Sequence, residues 1–253
     1  MKISYTRHAA GAVPGSSSIL QLHGDHQAGS GPLVSCLMVT RGNPVLVSQA
    51  LACFRAQTWQ HKELVVVCER VTKELRELLK YDKQVRLIEV TQKLSLGDLR
   101  NLSVARSEGT YICQWDDDDL YDPTRIEVQM NVLMATCVQS TFLSRWLIWW
   151  PVRDRLVLSS SRVWEGSMLA HRSVIPVYPS LPRREDSYVA RWVTAHHPTA
   201  LIDLPQLYCY RVTGENTWDE GHFERMFSRA TKVFKDEEKR AMMKLPCFNV
   251  ATR

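Results

Sequence analysis

The stretch Tyr111-Ile-Cys-Gln-Trp-Asp-Asp-Asp-Asp119 joins a short apolar run to four consecutive carboxylates. The run is typical of a buried strand. Four adjacent like charges repel one another, so their concentration at a strand end favours a bound cation. Mg²⁺ commonly takes one or two carboxylates together with substrate phosphates. The alternative is a solvated acidic turn or helix cap, but Asp122-Pro123 already supplies a cap for the next helix, so we favour a metal–phosphate site.

Upstream of this stretch, strand and helix patterns alternate. Apolar runs predict strands at 33–39, 64–67, 85–90 and 111–115, with helical spacing between them. Asn43-Pro44 opens the first helix, Thr72 caps the second, and Ser95-x-x-Asp98 resembles a capping box for the third. The alternation predicts a mainly parallel sheet covered on both faces, in which ligands bind beyond the carboxyl ends of the strands. The acidic stretch lies at such an end.

The second half is less regular. Helices are predicted at 123–134, 185–196 and 221–234, and strands at 141–150, 155–159, 201–204 and 207–211. Residues 1–31 are rich in Gly, Ser, His and Ala and lack periodicity, which predicts a flexible N-terminal arm. We expect a single domain over 32–253, made of a first half (32–122), a second half (123–215) and a C-terminal loop and helix (216–253).

Composition excludes several classes of protein. The net charge of +5 suits an anionic substrate, but the basic residues form no concentrated patch, which disfavours nucleic acid as a partner. The seven cysteines include no CxxC pair, so neither a zinc site nor a disulfide framework is indicated, and a reducing cytosol is favoured. We expect no secretory signal and no transmembrane segment, because the apolar run Trp146–Val152 is far too short to span a bilayer. A buried strand is the favoured interpretation of this run; the alternative is a peripheral contact with the inner face of the membrane.

Six short motifs, in this order and spacing, make the chain resemble bacterial-type family 2 glycosyltransferases of the GT-A fold. They are Pro32–Arg41, Gln57-Thr-Trp59, Glu63–Val67, Gly97–Asn101, Trp115–Asp119 and Arg184-Glu-Asp186. The resemblance covers about residues 32–215. It implies a Rossmann-like α/β sheet with helices on both faces and a smaller acceptor-side sheet. It also implies transfer of a sugar from a nucleotide-diphosphate donor to an acceptor hydroxyl, usually with inversion, with Mn²⁺ or Mg²⁺ as cofactor.

The resemblance assigns the donor side to the first half. Asp118 matches the metal ligand, Asp119 is a second-layer or turn residue, and Cys68-Glu69 replaces an acid pair that often binds the base, which leaves the base open. The residues expected to bind the nucleotide sugar are Thr40, Arg41, Glu69, Gly97, Arg100, Asn101, Asp116 and Asp117.

The catalytic and acceptor-side residues are assigned to the second half and the C-terminal loop. Asp186 matches the base that deprotonates the acceptor, with Glu185 beside it. The competing interpretation is that both acids complement the helix dipole, and Arg183-Arg184 is expected to lower both pKa values, which suits a structural pair. The acceptor side is expected to include Trp164, Glu165 and Trp218, and a closing loop to bring Asn216, Trp218 and His222 over the donor, with His222 as a third metal ligand or a structural residue.

Several functions stay open. The leading one is a cytoplasmic hexosyl-type glycosyltransferase acting on a glycan, glycolipid or protein. A nucleotidyltransferase acting on a sugar phosphate also places an acid cluster on an α/β fold, and it would release pyrophosphate rather than a nucleoside diphosphate. An inactive carbohydrate- or nucleic-acid-binding module is disfavoured by the intact acids. Glycosylation of modified DNA is favoured only by the pI of about 8.8.

Overall fold

The computed structural model describes residues 2–8, 17–21 and 31–250, which form two β-sheets and eight α-helices. The strands are β1 (Lys2–His8), β2 (Ser17–Gln21), β3 (Val34–Thr40), β4 (Lys62–Cys68), β5 (Val85–Glu89), β6 (Tyr111–Gln114), β7 (Leu120–Tyr121), β8 (Ser140–Leu143), β9 (Leu147–Trp150), β10 (Arg155–Leu158), β11 (Trp164–His171), β12 (Thr199–Ile202), β13 (Tyr208–Arg211) and β14 (Lys232–Phe234). The helices are α1 (Pro44–Arg55), α2 (Lys73–Leu79), α3 (Leu96–Arg106), α4 (Arg125–Thr136), α5 (Glu185–His196), α6 (Glu220–Ser228), α7 (Asp236–Met242) and α8 (Pro246–Val250).

The large sheet has the order β2-β1-β12-β8-β11-β6-β3-β4-β5. Its last four strands are parallel, as the alternating pattern predicts. The predicted caps are also present: Asn43 accepts from two backbone N–H groups of α1, Thr72 caps α2, and Ser95 and Asp98 form the capping box of α3. The carboxyl ends of β3, β4 and β6 therefore meet at one edge of the sheet, where Thr40, Glu69 and the acidic stretch lie.

The other half of this sheet is mixed, because β11 lies between β6 and β8 and is antiparallel to both. The sequence pattern does not predict β11 as a strand. Gly166 and Ser167 interrupt its apolar pattern, and its pairing shifts register between Trp164 and Leu169. This strand brings Trp164 and Glu165 towards the carboxyl end of β6.

The prediction of a flexible N-terminal arm is wrong for two segments, Lys2–His8 and Ser17–Gln21, which are strands. β1 and β2 form an antiparallel hairpin, and β1 extends the large sheet by pairing with β12, where Tyr5 lies opposite Ile202. Ile3 is fully buried in the main core. The sequence does not reveal this strand because its partner lies about 200 residues further along the chain. The rest of the predicted arm, at 1, 9–16 and 22–30, lies outside the described residues.

The smaller sheet, of order β14-β10-β9-β13-β7, corrects two predictions. The strand predicted at 141–150 divides into β8 in the large sheet and β9 in the small one. β9 is mostly buried, which confirms the strand interpretation of the Trp146–Val152 run. The helix predicted at 221–234 ends at Ser228, because Thr231 then donates to the Leu158 carbonyl and β14 pairs with β10. In the described ranges no helix has the length and apolar character needed to cross a membrane.

A buried arginine fixes the end of β6. Arg125, at the start of α4, is fully buried, with its guanidinium carbon 4.7 Å and 4.9 Å from the ring centroids of Tyr121 and Tyr208. It donates to the Gln114 carbonyl (3.1 Å) and the Gly166 carbonyl (3.3 Å). α4 begins two residues later than predicted, because Asp122 accepts from the Thr124 N–H and forms a turn before the helix. Arg125 thus joins β6 to β11 directly below the acidic stretch.

Candidate active site

A cavity of about 890 Å³ opens where the carboxyl ends of β3, β4 and β6 face β11, the start of α5 and the loop before α6. It gathers side chains that are far apart in the sequence. The predicted site residues that line it are Thr40, Arg41, Glu69, Arg100, Asp116, Asp117, Asp118, Trp164, Glu165, Glu185, Asp186, Trp218 and His222. The structure therefore brings the expected donor and acceptor residues to one cavity.

Gly97 and Asn101 are not on its wall. Asn101 donates to the Tyr178 carbonyl and accepts from the Tyr178 N–H, both at 2.8 Å. A Cβ on Gly97 would lie 1.8 Å from the Pro179 carbonyl oxygen, so only glycine permits this close approach of α3. Both residues hold the segment that leads to α5, in contrast to the expectation that they bind the nucleotide sugar.

The four consecutive acids point in different directions. Asp119 is fully buried, where it accepts from the Tyr208 hydroxyl and from the Arg211 N–H at 2.9 Å. Asp117 accepts from the Thr40 hydroxyl, and Asp118 accepts from the Asn216 amide at 2.6 Å. Asp119 is therefore a structural anchor, as the turn interpretation of this residue expects.

The remaining acids repel one another. Burial, and then the charges of Asp117 and Asp116, raise the pKa of Asp118 to about 7. Burial, and then the charge of Asp116, raise the pKa of Asp117 to about 6. In the described residues no three His, Cys, Asp or Glu side chains are grouped to hold a metal ion. The oxygen donors and the uncompensated charge fit a divalent cation that takes one or two protein carboxylates and completes its coordination from a ligand and water.

Arg100 lies between the two groups of acids. Its Nε donates to Glu185 at 2.8 Å and its Nη2 donates to Asp116 at 3.1 Å. Burial opposes its charge, but Asp116 and Glu185 together hold the pKa of Arg100 well above its usual value. Glu185 is buried. Arg100 is thus engaged with two carboxylates, which differs from the expectation that it binds the nucleotide sugar.

The pKa of Asp186 is shifted in the direction opposite to the one predicted. Burial, and then the charge of Glu185, raise the pKa of Asp186 to about 7 despite the lowering effect of Arg100. Arg183 and Arg184, which were expected to lower it, lie over the Trp218 ring at 5.4 Å and 5.6 Å from its centroid. A carboxylate with a pKa near neutrality on a cavity wall suits proton transfer, whereas a structural helix-start acid has a lowered pKa.

Aromatic side chains form the wall beside Asp186. Trp164 packs on Trp146 with ring centroids 4.2 Å apart, and Trp146 stacks on Tyr210 at 5.1 Å and an interplanar angle of 7°. Trp164 is largely buried within this stack, so it supports the wall more than it offers a free face. Glu165 accepts from the Ser187 hydroxyl at 3.0 Å, which links β11 to the start of α5.

The loop before α6 covers the acidic stretch. Glu215 accepts from the Asn43 side-chain amide at 3.0 Å, and Asn216 contacts Asp118 as described above. Trp218 stacks on His222 with ring centroids 4.4 Å apart. Burial, and then the charge of Arg225, lower the pKa of His222. The nearby arginines disfavour a metal ion at His222, for which a metal-ligand role and a structural role were both left open.

Several residues of the site were not singled out by the sequence analysis. Tyr208 and Arg211 on β13 orient the acids, since Arg211 also donates from Nε to the Asp118 carbonyl at 2.9 Å. Nothing local in the sequence reveals these contacts. The cavity face of α6 does carry a signal: His222, Arg225 and Met226, with Arg229 just beyond the helix, recur at helical spacing.

Known proteins resemble this chain in sequence. The profile described as Glycosyl transferase family 2 matches residues 35–156. An uncharacterized glycosyltransferase of Rickettsia bellii is 30% identical over 87 residues, which cover 34% of this chain and 13% of that protein. One from Haemophilus influenzae is 23% identical over 107 residues, which cover 41% of this chain and 43% of that protein. The chain thus spans less than half the length of these relatives.

Solved structures resemble it in fold. The crystal structure of S. aureus TarS 1-349 has a TM-score of 0.57 and 11% identity, and the match covers 78% of this chain and 69% of that one. The TarS complex with UDP-GlcNAc has a TM-score of 0.56 and 12% identity, with 84% and 70% covered. These likenesses confirm the predicted α/β fold of GT-A type.

Proposed function

We propose that the chain, which matches glycosyl transferase family 2 over residues 35–156, transfers a hexose-type sugar from a nucleoside-diphosphate donor to an acceptor hydroxyl with inversion. The observation that carries this proposal is the placement of Asp186, with its pKa raised to about 7, on the same cavity as the Asp117 and Asp118 carboxylates. A base and an acidic cluster that faces a diphosphate are the two components that such a reaction requires.

The donor binds at the carboxyl ends of β3 and β4 in this proposal. Thr40 and Glu69 lie there and line the cavity, with Arg41 beside them, so they are in position to contact the nucleoside. S. aureus TarS has been crystallised with UDP and with UDP-GlcNAc. On that basis we propose a uridine-diphosphate sugar as the first donor to test.

The cofactor is proposed to be Mn²⁺ or Mg²⁺, held by Asp118 with Asp117. When bound, such a cation stabilises the negative charge of the departing diphosphate as a Lewis acid. Asn216 holds the Asp118 carboxylate and Thr40 holds Asp117, so both oxygen donors are oriented before a ligand arrives. Asp116 is held in turn by Arg100.

The chemistry assigned to the chain itself is proton removal. Asp186 accepts the proton of the acceptor hydroxyl while the hydroxyl oxygen forms a bond to the anomeric carbon. The bond from that carbon to the phosphate oxygen breaks, and the nucleoside diphosphate leaves with the electron pair. Glu185 keeps the pKa of Asp186 high, and Arg100 holds Glu185 in place. We propose that the enzyme acts in the cytoplasm, on a glycan, glycolipid or protein.

The test measures the released product. Purified protein is incubated with Mn²⁺ and UDP-, GDP-, dTDP- or ADP-sugars, with and without a mixture of acceptors, and free nucleoside diphosphate is quantified. Release that depends on Asp186 supports the proposal. Pyrophosphate as the product identifies a nucleotidyltransferase instead, and donor binding without turnover identifies a binding module.

A further inference from the structure

The acceptor side of the cavity carries arginines that have no acidic partner. Among the described residues of the wall, six arginines form no ion pair. Arg41 lies on the donor side beside Thr40, and the other five are Arg183, Arg184, Arg191, Arg225 and Arg229. All five are exposed to solvent. We refer to these five as the arginine rim. Arg162, which also lines the cavity, is excluded because it is paired with Glu165.

The basic and acidic residues of helix α6 lie on different faces of the helix. His222, Arg225 and Met226 line the cavity, followed by Arg229. Phe223 and Phe227 are buried in the main core. The acids of the helix lie elsewhere: Glu220 pairs with Arg153, and Glu224 pairs with Arg153 and with Arg155 at 2.8 Å. The acids of α6 are thus paired away from the cavity, while Arg225 and Arg229 line it and form no ion pair among the described residues.

The start of α5 supplies the other side of the rim. Arg183 and Arg184 lie over Trp218, which stacks on His222 of α6, so the two groups of arginines are joined by one aromatic pair. Arg191 uses its Nε to donate to the Ser187 carbonyl at 3.1 Å, which leaves its two terminal nitrogens free to bind a ligand. Guanidinium groups gathered on one wall repel one another, and a bound anion would relieve this repulsion.

The position of the rim separates it from the donor. The residues assigned to the donor nucleotide follow β3, β4 and β6, whereas the rim belongs to α5, α6 and the residues next to them. Arg184 is two residues from Asp186, the proposed base. An anion bound by the rim would therefore lie on the side of the cavity where Asp186 is placed.

We propose that the acceptor carries an anionic group, phosphate or carboxylate, which the arginine rim binds. This inference rests on the proposed function, because it takes Asp186 to mark the acceptor side. The planar guanidinium fork binds the oxygens of either group in pairs, and lysine is a weaker substitute in this geometry. A neutral sugar has no group that would compensate five unpaired arginines.

The experiment compares three small probes by isothermal titration with UDP and Mg²⁺ present: glucose, glucose 6-phosphate and glucuronic acid. We expect at least one anionic probe to bind about tenfold or more tightly than glucose, because hydrogen bonds between charged groups are the strong ones. The anionic probe that binds more tightly identifies whether the acceptor group is a phosphate or a carboxylate. Raising the salt concentration should weaken anion binding and leave glucose binding unchanged.

Two double variants make the test specific. Arg225→Gln with Arg229→Gln should reduce anion binding by about tenfold or more, while the Kd for UDP stays within about twofold. Arg153→Gln with Arg155→Gln removes two arginines from the other side of α6 and should leave both affinities unchanged. Melting curves confirm that each variant is folded.

Three results would overturn the inference: equal binding of neutral and anionic probes, unchanged anion binding in the Arg225/Arg229 variant, or a loss of UDP affinity as large as the loss of anion affinity. If wild-type protein binds no nucleoside diphosphate at all, the proposed function fails. The probe comparison without UDP still decides whether the rim binds anions.

Discussion

The cavity contains two groups of adjacent acids, the stretch Asp116–Asp119 and the pair Glu185-Asp186. The two groups differ in how many of their carboxylates are paired with an arginine. In each group one acid is buried and anchored: Asp119 by Tyr208 and Arg211, Glu185 by Arg100. In each group another acid faces the cavity with a pKa raised to about 7, Asp118 in the first and Asp186 in the second. The anchored acid fixes the position of its neighbour.

The difference lies in the cations nearby. Asp116, Asp117 and Asp118 all line the cavity, and among the described residues only Asp116 forms an ion pair, with Arg100. Glu185 pairs with the same arginine, which leaves Asp186 as the acid of that pair without an ion pair among the described residues. An excess of carboxylate suits a group that binds a cation, whereas a single carboxylate with a neutral pKa suits a base. The same residue type thus takes two roles according to the local charge balance.

The largest expected effect concerns the base. Asp186→Asn keeps the size of the side chain but cannot accept a proton, so turnover per folded molecule should fall by about 10²–10⁴. Affinity for UDP with Mg²⁺ should persist, because the acidic stretch is unaltered. Asp203→Asn, at an acid that pairs with Arg145 outside the cavity wall, is the matched control and should turn over normally. Near-normal turnover of Asp186→Asn would make the pair purely structural.

The second effect concerns the acidic stretch. Asp118→Asn should abolish the gain in UDP affinity that Mn²⁺ or Mg²⁺ provides, because it removes an anionic oxygen ligand. The same change should increase the free energy of unfolding of the metal-free protein by roughly 1–3 kcal/mol near pH 8, since it removes a half-buried and poorly compensated charge. Titrations with and without EDTA, together with melting curves, measure both. Metal-independent UDP binding by the wild-type protein would contradict this role.

The third effect distinguishes the structural role of Glu185 from the proposed catalytic role of Asp186. Glu185→Gln leaves Arg100 without one of its two buried partners, so the free energy of unfolding should fall by about 2–4 kcal/mol. Turnover corrected for the folded fraction should fall less than in Asp186→Asn. Because the Glu185 charge raises the pKa of Asp186, the acidic limb of the kcat/KM profile should move to lower pH. An unmoved acidic limb would show that Glu185 does not tune the base.

The smallest effect is on stability as a function of pH. Asp117, Asp118 and Asp186 have folded pKa values of about 6, 7 and 7, all above the usual 3.8. Between the usual pKa of 3.8 and the folded pKa values of about 6 to 7, the folded state therefore binds more protons than the unfolded state. Its stability rises as the pH falls through about 7. In EDTA the Tm should increase from about pH 8 to about pH 6, and saturating Mg²⁺ with UDP should flatten or reverse this trend. A Tm that decreases over this range without metal would refute the raised pKa values.

The predictions from the sequence were most accurate where the determinants are local. The helix over 185–196 matches α5, and the three caps at Asn43, Thr72 and Ser95 are all present, since a cap depends on residues within one turn of the helix. The prediction failed at β11, where Gly166 breaks the apolar pattern, and at β14, which pairs with a strand about 75 residues away. Long-range pairing leaves no periodic trace in a short segment.

The sequence by itself determined the α/β class, the position of the acidic stretch at a strand end, and most of the predicted residues that line the cavity. Only the tertiary structure decided what each of those residues does. It turned Asp119 inward, paired Arg100 with carboxylates, placed Gly97 and Asn101 behind the cavity wall, and raised the pKa of Asp186 where the adjacent arginines predicted a fall. The physical reason is that charge interactions and burial depend on distance in space, and Arg183 and Arg184 lie over Trp218 although they precede Asp186 in the chain.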